Sequence, residues 1–389
     1  MNYELTTATE QQKFYELYLY AFNKEDSQQR RDFFFYRYDQ ALTYGIKAND
    51  QLVSALYAIP LTVGFQSATY SMHGIGDVMS APEYSGRGGA GNLLRYALEK
   101  MAQQKVALSY LAPFSFTYYR KFGYEHVFDK IHYQISADKL RQFQIPKVTC
   151  GHLQKGALID FIAIIDPLYK NSPLANNGGI IRSKNWWHYL TLKNSWDVAV
   201  YYDDNAVAQG YLLYERSGLT LTIKEFVYQT SIAKNALLTF ISKHQNSFTT
   251  IIYETPNLDY LGLFTSDPYL FEAKIVPYMM ARIVDLKSFF DSYPFAGNLD
   301  ICLELSDPVL SQNTGIWRLQ AKDGVTSLVK TSAKAQLTLT IQQLSQIFLG
   351  ATSASRLAKL GQIKVADKIV LTKLDAALSA VTPTLVDYF

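Results

Sequence analysis

Val78-Met79-Ser80-Ala81-Pro82-Glu83-Tyr84-Ser85-Gly86-Arg87-Gly88-Gly89-Ala90-Gly91 is the most chemically informative run in this 389-residue chain. Four of the six residues from Gly86 to Gly91 are glycine. An extended apolar segment precedes them, and Leu94, Ala97, Leu98 and Met101 then recur on one face of a helix expected over Gly88–Gln103. Unpaired N–H groups at a helix N-terminus, with no side chains in front, make a site for a pyrophosphate. Arg87 adds a fixed positive charge. Glycine content alone is explained more simply by a turn that uses glycine for backbone freedom.

Upstream, Thr9 with Gln12 suggests a capping box for a helix carrying Phe14, Leu17, Tyr18 and Ala21 on one face, and a second helix is expected from Ser27 to Tyr38. Strands Leu42–Ala48 and Gln51–Ile59 flank Asn49-Asp50, a pair suited to a tight hairpin. Downstream come a short apolar strand, Val106–Leu111, the segment Ser115–Phe122 and a strand near Glu125–Ile135, closing a mixed α/β domain near Pro146. The middle third repeats part of this order: a helix over Trp186–Leu192, strands Asp197–Tyr202, Val207–Tyr214 and Leu219–Tyr228, a helix over Ser231–His244 and a strand Thr249–Tyr253. Its strand-to-helix junction, Val227-Tyr228-Gln229-Thr230, contains no glycine. From about Asp285 the pattern changes to strands Ile301–Leu305, Ile316–Gln320 and Leu337–Thr340. Amphipathic stretches Ile341–Leu349 and Ala354–Leu360 follow, stopped by Gly350 and Gly361, with a last helix near Ala366–Ala380. The fold class is therefore α+β (mixed α/β), in segments 1–150, 151–285 and 286–389.

Composition sets the outer limits. At roughly 100–200 residues per domain the length suits two to four domains. Hydrophobic residues make up 48% and charged residues 18%, which excludes wholesale disorder. A net charge of +3 is too small for a dedicated nucleic-acid binder. No apolar run approaches a membrane span, and the N-terminus lacks a signal-peptide core, so a cytoplasmic protein is expected. Cys150 and Cys302 stand alone, and the six histidines are scattered, so no metal is expected. Without a Gly-x-Ser-x-Gly elbow, a serine-nucleophile hydrolase has no support. The 29 tyrosines and 22 phenylalanines are the unusual feature. Phe33-Phe34-Phe35-Tyr36 and Trp186-Trp187 could wall a pocket or fill a core.

The frame Ser85-Gly86-Arg87-Gly88-Gly89-Ala90 resembles the coenzyme A pyrophosphate loop of the GNAT acetyltransferases, Arg-or-Gln-x-x-Gly-x-Gly-or-Ala. Ser85 departs from its first position; the main-chain donors survive that change. Leu111-Ala112-Pro113-Phe114-Ser115 and Tyr118-Tyr119-Arg120-Lys121-Phe122-Gly123-Tyr124-Glu125 resemble the signature of Eis-type acetyltransferases. Pro277-Tyr278-Met279-Met280-Ala281-Arg282-Ile283-Val284-Asp285 and the terminal Asp387-Tyr388-Phe389 agree with it. The resemblance implies two tandem GNAT-like domains, the second degenerate, followed by a sterol-carrier-protein-like domain.

It further implies acetyl transfer from acetyl-CoA to an amine of a small cationic acceptor, such as an aminoglycoside, a polyamine or a lysine side chain, by a homohexamer. Tyr119 matches the general acid, with Tyr118 its nearest competitor, and the α-carboxylate of Phe389 matches the general base. An alkyl amine of pKa about 10 must shed a proton before attack, and a terminal carboxylate near 3.5 is a poor base unless buried or working through water. Val78, Met79 and Ser80 match the strand that pairs with pantetheine; Gly86, Arg87, Gly88, Gly89, Ala90 and Gly91 match the pyrophosphate loop. Phe114 and Ser115 match the thioester end. Asp26 and Asp387 are candidates for attracting the cation, though surface acids are more often simply solvated. Two other readings compete: a lipid-binding carrier acting through the last domain, and a non-catalytic acetyl-CoA-binding regulator.

Overall fold

The computed structural model of the chain describes residues 3–256, 267–378 and 381–389. They fall into two compact units: 1–128 with 278–383 and 388–389, and 129–277 with 384–387. The segment from 286 onward thus lies mostly in one unit with the N-terminal domain.

In the first unit, α1 (Ala8–Ala21) starts two residues before the expected box. Thr7 accepts from the Glu10 N–H at 3.2 Å, and the Glu10 carboxylate accepts from the Thr7 N–H at 2.8 Å. Glu10 suits the third helical position better than a neutral Gln12, because its charge also meets the positive helix end. Lys47 pairs with it, and that contact, with the capping N–H groups, holds the carboxyl down at about 2. Ser27 caps α2 (Gln28–Tyr38), accepting from the Arg30 N–H at 3.2 Å. Phe33 and Phe34 are buried, and Phe34 meets Phe14, Tyr15 and Tyr18 at ring-centroid distances of 6.0, 4.8 and 4.9 Å. This aromatic run is helix-packing core.

β1 (Leu42–Ala48) and β2 (Gln51–Phe65) form the expected hairpin, with Asn49 and Asp50 at φ +49° and +61°, the left-handed pair a two-residue turn requires. β2 runs past Pro60, where a break was expected; β1 ends opposite Ala58, so the missing N–H costs no β1–β2 bond. β3 (Ala68–Ser80), α3 (Gly89–Gln103), β4 (Leu108–Leu111) and α4 (Phe116–Arg120) follow. β3 pairs parallel with β4 only from Met72 to Ile75 and then continues alone on that side to Ser80. Met280–Ile283 pairs antiparallel with the other edge of β4. Leu94, Ala97, Leu98 and Met101 of α3 are buried in one cluster with Leu56, Ile75 and Tyr119. The later segment forms a five-stranded sheet in the order Val325–Lys330, Gly315–Lys322, Leu299–Ser306, Leu337–Thr340, Lys364–Val365. Its helices Ile341–Phe348 and Ala354–Lys359 stop at Gly350 and Gly361, at φ +80° and +69°. The last helix is Ile369–Ala377, shorter than expected; Ala380 lies outside the described residues.

The second unit contains the repeat. Asp197–Tyr202, Ala208–Ser217 and Thr220–Tyr228 form an antiparallel meander, and helix Ser231–Ser242 leads to Thr250–Thr255, parallel to Thr220–Tyr228. This is the order of β1, β2, β3, α3 and β4. The glycine-free junction has a physical consequence. Thr230 caps its helix, accepting from the Ala233 N–H at 3.1 Å, whereas the cap position of α3 is Gly88, which has no side chain to accept. The repeat fills with a hydroxyl a donor that the first domain leaves open.

Candidate active site

The loop after β3 is built to expose backbone. Gly86 and Gly88 hold φ +78° and +85°, where L side chains are strained, and a Cβ on either would meet nothing within 4 Å. Among the described residues, the N–H groups of Gly88, Gly89, Ala90 and Gly91 donate to no backbone carbonyl. The loop is anchored below: a Cβ on Gly89 would stand 2.4 Å from Ser54 Oγ, which bonds the Ser80 hydroxyl at 2.7 Å. A Cβ on Gly91 would press on Phe122 at 3.2 Å, so this glycine lets α3 approach the end of α4. Arg87 lies over Tyr84 at 4.9 Å. Consecutive open N–H groups at a helix N-terminus, faced by empty space, fit a pyrophosphate. Beside them, Met79 is buried, and β3 beyond Ile75 has no β4 alongside it, which fits an extended chain added as a strand.

Ser115 caps α4, accepting from the Tyr118 N–H at 3.3 Å. Phe114 is 69% exposed, with its ring 5.2 Å from that of Tyr119, which is 2% exposed. Burial first, then the neighbouring hydroxyls of Tyr118, Tyr124 and Tyr388, pushes the Tyr119 phenol well above its usual value, so it is held protonated. Burial also raises Tyr118. The turn after α4 is locked by Arg282, fully buried, which donates to the Phe122 carbonyl and pairs with Asp307. A Cβ on Gly123, at φ +80°, would collide with Arg282 Nη1 at 2.6 Å. The stretch around Arg282 therefore supports the tyrosine helix, a role its sequence did not disclose.

Phe389 is 3% exposed. Its ring lies directly on β3: a Cβ on Gly74 would stand 2.6 Å from Phe389 Cδ2 and 2.7 Å from Cε2. Tyr388 acts electrostatically on Tyr119, and sequence reasoning missed it; only the docking of the tail brings its hydroxyl there. The two acidic candidates differ in their surroundings. The Asp387 side chain is completely buried in the second unit, accepting from Trp186 Nε1 at 2.8 Å, Arg182 Nε at 3.0 Å and the Tyr169 hydroxyl at 3.3 Å. Its charge is already met, and its place in the fold is an anchor for the tail. The Asp26 side chain is 39% exposed; Arg31, then Tyr15 donating at 2.6 Å, holds its carboxyl at about 2. A cationic acceptor has to compete with Arg31 there. Among the described residues no cluster of three or more His, Cys, Asp or Glu is placed to hold a metal ion, and no helix is long and apolar enough to cross a membrane.

Comparison with known proteins agrees with this geometry. Residues 2–127 match an acetyltransferase (GNAT) domain family, residues 178–283 a second acetyltransferase (GNAT) domain family, and residues 286–386 the sterol carrier protein domain family. A conserved protein of Enterococcus faecalis V583, described as a probable N-acyltransferase, is 33% identical with a TM-score of 0.93, over 100% of this chain and 99% of that one. A GCN5-related N-acetyltransferase from Anabaena variabilis is 22% identical, with a TM-score of 0.88 over 100% of both chains. Eis1 from Mycobacterium abscessus is 17% identical, with a TM-score of 0.81 over 100% of this chain and 99% of that one; these last two show likeness of fold. No curated protein sequence matches the chain. The chain belongs to the GNAT N-acetyltransferases, in the Eis-like arrangement of two GNAT domains followed by a sterol carrier protein domain. A GNAT domain implies acetyl-CoA as cosubstrate, and the open loop described above fits its pyrophosphate.

Proposed function

We propose that this enzyme acetylates a primary amine of a small cationic acceptor, aminoglycoside- or polyamine-like or a lysine side chain, by direct attack on acetyl-CoA. The observation that carries the reading is the seat of the last residue: Phe389 is buried against β3 in the same unit as Tyr119 and the glycine loop. The Phe389 carboxylate takes the proton that the acceptor ammonium must lose, directly or through water. The amine nitrogen then bonds to the thioester carbonyl carbon, the C–S bond breaks, the Tyr119 hydroxyl gives its proton to the departing thiolate, and the second proton shed by the amine nitrogen returns to the Tyr119 phenolate, leaving a neutral amide. The raised Tyr119 phenol keeps the hydroxyl protonated at neutral pH, the state a proton donor needs. In this reading Val78 and Ser80 pair through their backbone with pantetheine, the Gly86–Gly91 amides hold the pyrophosphate, and Phe114 and Ser115 flank the thioester. The enzyme works as a cytoplasmic homohexamer.

Mixing the protein with acetyl-CoA and a panel of aminoglycosides, polyamines and lysine peptides, and following free thiol, tests the activity. Thiol release with at least one amine is expected. Tight acetyl-CoA binding without release for any amine favours a regulatory binder instead. For the loop, Gly88→Ala is expected to weaken coenzyme A binding about tenfold in calorimetry, because it strains a left-handed residue and sets a methyl in the open space. Unchanged binding removes the loop from the site.

A further inference from the structure

Asp77 lies in β3 between Ile75, the last residue paired with β4, and the edge assigned above to pantetheine. The β2–β3 ladder is irregular at this point. Tyr57 pairs with Gly76 and Ala55 with Met79, so Asp77 and Val78 together stand opposite Leu56. That is a β-bulge, and Asp77 occupies it at φ +47°. Glycine is the ordinary residue for a left-handed bulge position; aspartate is tolerated there at a cost. Such a conformation persists where its surroundings over-determine it, and it clusters at functional sites.

The surroundings here are specific. Arg37 of α2 pairs with the Asp77 carboxylate, the two side chains being 7% and 10% exposed. The guanidinium is also held over Tyr57, 4.4 Å from its ring centroid, and 5.6 Å from that of Phe34. Tyr57 in turn lies on the bulge: a Cβ on Gly76 would stand 2.1 Å from its hydroxyl oxygen. Ion pair, ring stacking and close backbone approach therefore converge on Gly76-Asp77. A bulge inserts one residue and re-aims the strand beyond it. In β3 the strand beyond is Val78–Ser80.

We propose that the Asp77–Arg37 pair is a positioning device that fixes the β3 bulge and so sets the backbone edge offered to coenzyme A, an inference that rests on the acetyl-CoA reading. Asp77 acts through the backbone rather than on the reacting atoms, and Arg37 acts through Asp77. Coenzyme A binding by calorimetry, with kcat and KM for acetyl-CoA, tests this on Asp77→Ala, Asp77→Asn and Arg37→Met. Asp77→Ala and Arg37→Met are each expected to raise Kd and KM about tenfold, with kcat at saturation changed by less than about threefold. Asp77→Asn is expected to restore most of the binding, because asparagine tolerates the left-handed conformation and still accepts from Arg37. Wild-type affinity in both Asp77→Ala and Arg37→Met overturns the proposal. So does Asp77→Asn binding as weakly as Asp77→Ala, since the charge rather than the bulge would then matter. Arg37→Met leaves Asp77 in place and keeps the test decisive where Asp77→Ala does not fold. Failure of the wild type to bind coenzyme A overturns the coenzyme reading itself, and this proposal with it. A binding wild type with unaffected variants overturns this proposal alone.

Discussion

Deleting Phe389, or extending the chain past it, is expected to lower kcat by about a hundredfold or more, within the range by which a general base contributes to proton transfer. Coenzyme A affinity should stay near that of the native protein, while the deletion lowers the thermal midpoint because it removes a buried ring. Two features make the fall in kcat a catalytic rather than a structural loss. The residues that anchor the tail, above all Asp387 against Arg182 and Trp186, precede the deletion and keep their partners. The glycine loop and the β3 edge lie elsewhere in the chain. Extension has a further effect, because it converts the terminal carboxylate to a neutral peptide while placing extra chain where Phe389 is buried. Gly74→Ala offers the same test without touching the terminus: its methyl would lie 2.6 Å from the Phe389 ring and must push it from its seat. The expected result is again a fall in kcat larger than any change in coenzyme affinity. A C-terminally tagged protein with full activity would remove the terminus from the mechanism.

Tyr119→Phe carries the second large effect. The hydroxyl is lost from a side chain that is 2% exposed, and the ring that packs against Phe114, Tyr118 and Tyr124 remains, so the fold has little reason to change. On the proposed role of Tyr119 as proton donor to the thiolate, kcat should fall by about a hundredfold, again on the scale of general acid catalysis, with coenzyme affinity within about threefold. Rate measurements under saturating acetyl-CoA and calorimetry with coenzyme A separate the two quantities. Tyr118→Phe is the control, because Tyr118 is half-buried beside it and its hydroxyl is raised as well. An equal loss in that variant assigns the acid to the wrong tyrosine. The pH dependence has a definite sign. Burial raises Tyr119, so its proton is retained as pH rises past the ordinary tyrosine range, and no alkaline loss of rate near 10 should trace to it.

The parts of the fold that were legible in sequence are those whose local chemistry and tertiary environment agree. Asn49-Asp50 can adopt two successive left-handed residues, and the hairpin forms there. Gly350 and Gly361 end helices because they can take positive φ. The strand, glycine loop and one-faced helix from Val78 to Gln103 each carry their own signal, and all three agree. Helix Leu158–Lys170 was not legible: Leu158-Ile159 and Phe161-Ile162-Ala163-Ile164-Ile165 are apolar on several faces, and Pro167 inside it reads as a stop. Strand Val325–Lys330 was missed for the opposite reason, since most of it is exposed and burial imposes no alternation on it.

The candidate site divides along the same line. The glycine loop is local, and its residues announce it. The fates of Asp26 and Asp387 depend on their partners. Arg31, five residues away, was adjacent but indistinguishable from a solvated neighbour, while Arg182 lies 205 residues from Asp387. No spacing rule connects positions so far apart. The bulge at Asp77 is invisible for a related reason: a lone aspartate inside a strand does not mark left-handed backbone, and the Arg37 that pairs with it comes from α2, 40 residues away.

In the proposed mechanism the charge at the end of this chain is the base. Protein ligation can produce the enzyme with a carboxamide in place of the Phe389 carboxylate, changing charge and basicity while leaving every residue in position. Single-turnover rates with saturating acetyl-CoA and an amine accepted by the native enzyme compare the two forms. A loss of about a hundredfold in the carboxamide form, with unchanged coenzyme A affinity, is the result expected of a terminal base. Equal rates in the two forms would contradict it.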